Sequence, residues 1–121
     1  MNDSSEVLTT IVRDAIEDMK GKDITELDVR ALTDIADAMF IVTGTSQRHV
    51  KSISDQVVEK AKEAGFRPVG VEGELQAEWI LVDLGDVIVH VMQQEIRDYY
   101  RLERLWCIDE GDQSAVLGDE S

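Results

Sequence analysis

The first place where residue types and spacing could support chemistry is Gly44-Thr45-Ser46, directly after the apolar run Ala38-Met39-Phe40-Ile41-Val42. A glycine turn between a strand and a helix presents free amide N–H groups at the positive end of the helix dipole, which suits a phosphate. The turn has neither the lysine of a P-loop nor the three glycines of a dinucleotide fingerprint. No Asp-x-Asp pair follows it to hold the metal ions of nucleotidyl transfer. The helix opens on Gln47-Arg48-His49 instead, so Ser46 reads as an N-cap in preference to part of a nucleotide site. An active or vestigial nucleotide-binding protein is the alternative reading of this turn.

Carboxylates are the second candidate. From Pro68 to Glu95 stand Glu72, Glu74, Glu78, Asp83, Asp86 and Glu95, with no lysine or arginine among them. A metal site would need such groups to converge with histidines at defined spacing. Here Asp83 and Asp86 flank a turn, while Glu72 and Glu74 straddle a glycine. The run reads either as a solvated acidic rim or as a docking surface for a basic partner. His90 sits among apolar strand residues and reads as a hydrogen-bonded structural histidine; His49 falls in the first turn of a helix and is expected to be exposed. Cys107, the single cysteine, forms no internal disulfide and has no orienting histidine or acid beside it. No serine–histidine–acid or cysteine–histidine constellation is legible, so the sequence assigns no catalytic residue, no metal ligand and no cofactor.

The elements that position these groups follow from periodicity. Val7, Leu8, Ile11, Val12, Ala15, Ile16 and Met19 recur at three- and four-residue steps, predicting a helix over residues 6–20 that stops at Lys20-Gly21. A short alternating strand is predicted over 24–29, a loop over 30–37, and a strand over 38–42 that is apolar on both faces and so belongs in a sheet interior. A second helix runs from Ser46 to about Ala64 and is closed by Gly65. Residues 66–71 form a strand whose Pro68 suits an edge. Residues 79–84 and 87–92 pair as a hairpin around Gly85-Asp86. With those two residues as the turn, Ile80, Val82, Leu84, Val87, Val89 and Val91 share one wholly aliphatic face, which must be core. Trp79, Leu81, Asp83, Ile88, His90 and Met92 share the other, either half-covered by a helix or kept for a partner. A last helix over 94–106 carries apolar residues widely around its circumference, including Tyr99, Tyr100, Leu102 and Trp106. The order predicts an α/β (α+β) class fold, a mixed sheet with helices packed on it. One domain over 1–107 is expected, followed by an acidic, disordered tail over 108–121.

The charge narrows the partner. In 121 residues, 26 acids stand against 12 bases, a net charge of −14. That surface repels nucleic acid and anionic membrane alike, so neither is an expected partner. The acidic N-terminus resembles no signal or transit peptide and no apolar run approaches a bilayer span, so a reducing cytoplasm is the expected compartment. A basic protein surface is the remaining electrostatic fit. Tryptophan ringed by acids on a hairpin face is a typical interface anchor, which places Trp79, Leu81, His90 and Met92 at an expected contact centre, with Glu72, Glu74, Asp83 and Asp86 supplying charge.

Four motifs carry a resemblance to a known family. Asp37-Ala38-Met39-Phe40-Ile41-Val42-Thr43-Gly44-Thr45-Ser46 with Arg48-His49-Val50 resembles the signature of the Iojap-like ribosomal silencing factors. So do Gly70-Val71-Glu72-Gly73, the stretch Trp79-Ile80-Leu81-Val82-Asp83-Leu84-Gly85-Asp86-Val87-Ile88-Val89-His90, and Arg97 with Tyr99-Tyr100, Leu102-Glu103 and Leu105-Trp106. They run in order over roughly residues 7–106. The resemblance implies a nucleotidyltransferase-like architecture without its metal-binding acids. It also implies a non-enzymatic factor that binds the large ribosomal subunit through that subunit's ribosomal protein fourteen. Occupying that surface would obstruct small-subunit joining and lower translation when nutrients run short. Family members are often dimers, which suits an interface through Tyr99, Tyr100, Leu102 and Trp106.

Overall fold

The computed structural model describes residues 3–101, with side chains from Ser5 onward. The elements are α1 (Asp3–Asp18), β1 (Lys22–Asp28), β2 (Ala38–Gly44), α2 (Gln47–Glu63), β3 (Gly70–Glu72), β4 (Trp79–Asp83), β5 (Val87–Gln93) and α3 (Gln94–Tyr100). Five strands form one sheet in the order β1-β2-β5-β4-β3. The β2–β5 pair is parallel and the others antiparallel, giving the mixed sheet expected from the sequence. The apolar run of β2 is buried along all seven residues and has a neighbour on each side.

One sheet face carries the main core. Leu8, Val12, Ala15 and Ile16 of α1 and Val50, Ile53, Val57 and Ala61 of α2 pack on Phe40, Val42, Ile80, Val82, Val89 and Val91. Burying each of the larger aliphatic side chains stabilises by about 1.5–3 kcal/mol. The hairpin pairs Ile80 with Val91 and Val82 with Val89, and Leu84 N–H donates to the Val87 carbonyl at 2.9 Å. The two-residue turn and both predicted faces are therefore correct.

Several boundaries differ from the sequence expectation, among them α1 (Asp3–Asp18, not 6–20) and β1 (Lys22–Asp28, not 24–29). β3 is only Gly70–Glu72, because Phe66 N–H turns back to the Ala61 carbonyl and Gly65 N–H to Lys62, a Schellman closure of α2. Pro68 then has no N–H for a ladder, and pairing begins with Val69 N–H on the Asp83 carbonyl. The residue in the left-handed region at the end of α1 is Lys20 (φ 60), not Gly21. α3 closes at Tyr100, where Arg101 turns left-handed (φ 50) and donates its N–H to the Arg97 carbonyl. The helix predicted to 106, with Leu102 and Trp106, lies outside the described residues beyond that point, as do Cys107 and the acidic tail.

Gly44 ends β2 where α2 starts. A Cβ there would stand 2.7 Å from Val50 Cγ2 and 2.9 Å from the Val50 nitrogen, so the glycine lets helix and strand approach. Backbone atoms cannot yield as a flexible side chain can. Gly44→Ala is therefore expected to cost about 2 kcal/mol, in the range of core overpacking, measured by urea unfolding. A midpoint unchanged from the native chain would contradict the close packing.

Candidate functional site

The second sheet face is only half covered. Val29 and Ala36 from the β1–β2 connection and Ile96 from α3 pack with Met39, Ile41 and Met92. Trp79 and Ile88 pack against this cluster and, like Leu81 and Asp83, stay half-buried. Strand register arranges the side chains in rows. Glu72, Leu81, His90, Ile41 and Thr25 stand side by side, with Asp83, Ile88 and Met39 in the row on one side and Trp79, Met92 and Thr43 on the other. The predicted face thus gathers Trp79, Leu81, His90, Asp83 and Glu72 on neighbouring strands.

Met92 shares that face by register but is fully buried, so it supports the surface from below and does not reach it; its place at a contact centre is corrected. The cause is position. β5 is central, and Met92 precedes α3, whose Ile96 joins the same cluster, whereas Trp79 stands on β4 one strand further out. Glu74 also leaves the group. Gly73 takes φ +91, and Glu74 lines the groove between α2 and β3 with Asp55, Lys62 and Arg67 on the helix-covered side. Asp83 is on the face, but its Oδ1 accepts the Gly85 N–H at 2.9 Å and so holds the hairpin turn. Asp86 is half-buried in that turn, its carbonyl accepting from the Asp37 and Ala38 amides.

Trp79 is held from two directions. Its indole N–H donates to His90 Nδ1 at 3.0 Å, and the Tyr100 ring lies 5.0 Å away, centroid to centroid. Tyr99 meets Tyr100 edge-on at 4.8 Å. Tyr99 and Tyr100 are 79% and 53% exposed, so Tyr100, predicted for a dimer contact, belongs to the same aromatic group as Trp79. Since an indole nitrogen can only donate, His90 Nδ1 must carry a lone pair and the ring must be neutral with its proton on Nε2. Burial pushes the imidazole down to about 4 from 6.5, which favours that state at neutral pH.

A pH dependence follows. Between pH 6.5 and about 4 the unfolded chain binds a proton at His90 that the folded chain does not, so stability is lost as the pH falls through this window and is complete above it. The depression corresponds to about 3 kcal/mol. In His90→Asn the loss of stability from pH 7 to 4 should shrink by about that amount. Parallel pH profiles from denaturant unfolding of the two proteins would contradict it.

Arg97, which composition did not single out, fastens α3 to the sheet. It is buried, and its Nη1 donates to the Asp23 carbonyl at 2.6 Å and Thr43 Oγ1 at 2.8 Å, while Nη2 donates to Thr25 Oγ1 at 2.8 Å. Asp23 lies in the β1 irregularity between Lys22 and Thr25 (φ 50), so the guanidinium satisfies a carbonyl that the ladder leaves out. His49, expected to be exposed, is half-buried: its Nε2 donates to the Met19 carbonyl at 2.7 Å and its Nδ1 accepts the Thr45 N–H at 2.9 Å.

The glycine turn is packed shut. Val50 fills the space over Gly44, His49 takes the Thr45 N–H, and Ser46 Oγ accepts the His49 N–H at 3.0 Å. Side chains of the same turn thus occupy amides that a phosphate would need, as the N-cap reading of Ser46 anticipated. Among the described residues no group of three or more His, Cys, Asp or Glu side chains is placed to hold a metal ion. No helix among them is long and apolar enough to cross a membrane.

Fold and site define a mixed α+β domain whose organised surface is an aromatic and acidic sheet face. Residues 2–120 match the profile described as ribosomal silencing factor during starvation, and the chain belongs to that family, RsfS. It is 50% identical over 99 residues to a protein of Chromobacterium violaceum named ribosomal silencing factor RsfS, covering 82% of this chain and 81% of the relative. A Haemophilus influenzae protein of the same name is 44% identical over 82% of this chain and 97% of its own. A crystal structure from Chromobacterium violaceum superposes with a TM-score of 0.83 at 47% identity, covering 88% of this chain and 87% of that one. A mouse relative, 32% identical over 84% of this chain and 46% of its own length, is named mitochondrial assembly of ribosomal large subunit protein 1.

Proposed function

We propose that this chain is a non-enzymatic silencing factor that acts in the cytoplasm. It docks on the large ribosomal subunit through that subunit's ribosomal protein fourteen and sterically keeps the small subunit from joining. The single observation that carries this reading is the half-open sheet face, where Trp79 and Leu81 stand beside Glu72 in a segment with no compensating base. Such a face suits a basic protein partner: complementary charge speeds encounter and fixes register, and the aromatic anchor supplies affinity once desolvated. Relatives named as silencing factors, and one named for assembly of a ribosomal large subunit, support the choice of partner. Blocking of this kind makes and breaks no bond, consistent with a turn at Gly44 whose amides are already used. We also propose that two copies pair through the exposed tyrosines of α3.

The test is subunit joining followed by light scattering. Adding the protein to large subunits before small subunits should lower the joined fraction in proportion to occupancy, with no nucleotide required. Joining that proceeds unchanged at saturating protein would contradict the mechanism.

A further inference from the structure

On the docking reading above, we infer that His90 is a positioning residue: its Nδ1 accepts the Trp79 indole N–H and fixes the ring in the orientation that meets the partner. The two residues are a diagonal pair across β4 and β5, since Trp79 is directly opposite Met92 and His90 directly opposite Leu81. A diagonal pair reaches across only if a long side chain leans toward its neighbour, and the 3.0 Å bond with ring centroids 5.9 Å apart is that reach.

His90 suits the task. It lies on the central strand β5, paired through Ile41 to β2 and through Leu81 to β4, and is 9% exposed, so its ring has a fixed frame. Trp79, by contrast, is half-buried near the free edge of the sheet, with only β3 beyond its strand. Apolar packing there gives the indole N–H no directional partner. His90 supplies the direction and Tyr100 limits the ring from α3 at 5.0 Å. An anchor ordered before encounter does not lose that freedom on docking, which strengthens binding without adding a contact. The neutral imidazole is required, because only a lone pair at Nδ1 can receive the indole proton. Burial keeps the ring in that state.

The test compares His90→Phe, which keeps a ring and removes the acceptor, with His90→Asn, whose amide oxygen can stand near the Nδ1 position. Two signals are read on the full chain: the Trp79 indole N–H resonance in a nitrogen–proton spectrum, assigned by its loss in Trp79→Phe, and affinity for isolated large subunits. The expected result is a Trp79 indole proton that exchanges with solvent at least tenfold faster in His90→Phe, with affinity about tenfold weaker. Both should recover most of the way in His90→Asn, while backbone resonances of the α1/α2 core remain native in all variants. Full affinity in His90→Phe, with Trp79→Ala weakened, would overturn the positioning role alone. A weakened His90→Asn in which the indole bond is restored would overturn it too. Full affinity in both His90→Phe and Trp79→Ala would overturn the docking reading and this inference with it.

Discussion

Arg97→Met is expected to lower the free energy of unfolding by about 3 kcal/mol and the thermal midpoint by about 10–15 °C. Methionine retains the apolar stem of the side chain, so the loss is not chiefly one of packing. What disappears is a guanidinium donating to the Asp23 carbonyl and to the hydroxyls of Thr25 and Thr43. Thr43 Oγ1 is buried and Thr25 Oγ1 half-buried, and a buried acceptor left without a donor costs about 1–3 kcal/mol, whereas removing both sides of a hydrogen bond is nearly neutral. That asymmetry provides an internal control. Arg97→Met combined with Thr25→Val and Thr43→Val should regain a large part of the lost stability, because two of the orphaned oxygens are then gone. Calorimetry that finds the single variant within about 0.5 kcal/mol of the native chain would contradict a fastening role. The effect should extend to the proposed docking face, since α3 carries Tyr100, which packs against Trp79.

Trp79→Ala is expected to weaken binding to the large subunit by about 2 kcal/mol or more, roughly 30-fold, in the range of central aromatic anchors. The change should appear in the dissociation rate. Charge reversal should behave differently, and Glu72 is the position to reverse. It is exposed, directly opposite Leu81, whereas Asp83 holds the turn through Gly85 N–H. Glu72→Lys should slow association several-fold, increasingly so at low salt, and leave dissociation little changed. A dissociation rate unaltered by Trp79→Ala, measured on immobilised protein, would remove Trp79 from the contact.

Legibility divides along physical lines. β2 was readable because a strand buried on both faces is a continuous apolar run, and the hairpin because a two-residue turn fixes the parity of every side chain that follows. Parity assigns a face but not a depth. Trp79 and Met92 therefore looked equivalent, although Met92 lies on a central strand and is fully buried and Trp79 is not. The Trp79–His90 bond lies on a diagonal of the predicted pairing, but strand register alone does not say which donor an imidazole meets. Arg97 stands in one of the family motifs, but its role was out of reach, since Asp23, Thr25 and Thr43 are more than 50 residues away in the chain and only the folded sheet brings them to one point. Glu74 was misplaced for a local reason, because Gly73 at φ +91 redirects the chain between two glutamates that look adjacent on paper.

Sedimentation of the protein with isolated large subunits through a sucrose gradient tests docking most directly. The native chain is expected in the large-subunit fractions, and Trp79→Ala combined with Glu72→Lys at the top of the gradient with an unchanged circular dichroism spectrum. Co-sedimentation of the folded double variant to the same extent as the native chain would contradict the assignment of this face, and a native chain that stays at the top would contradict docking itself.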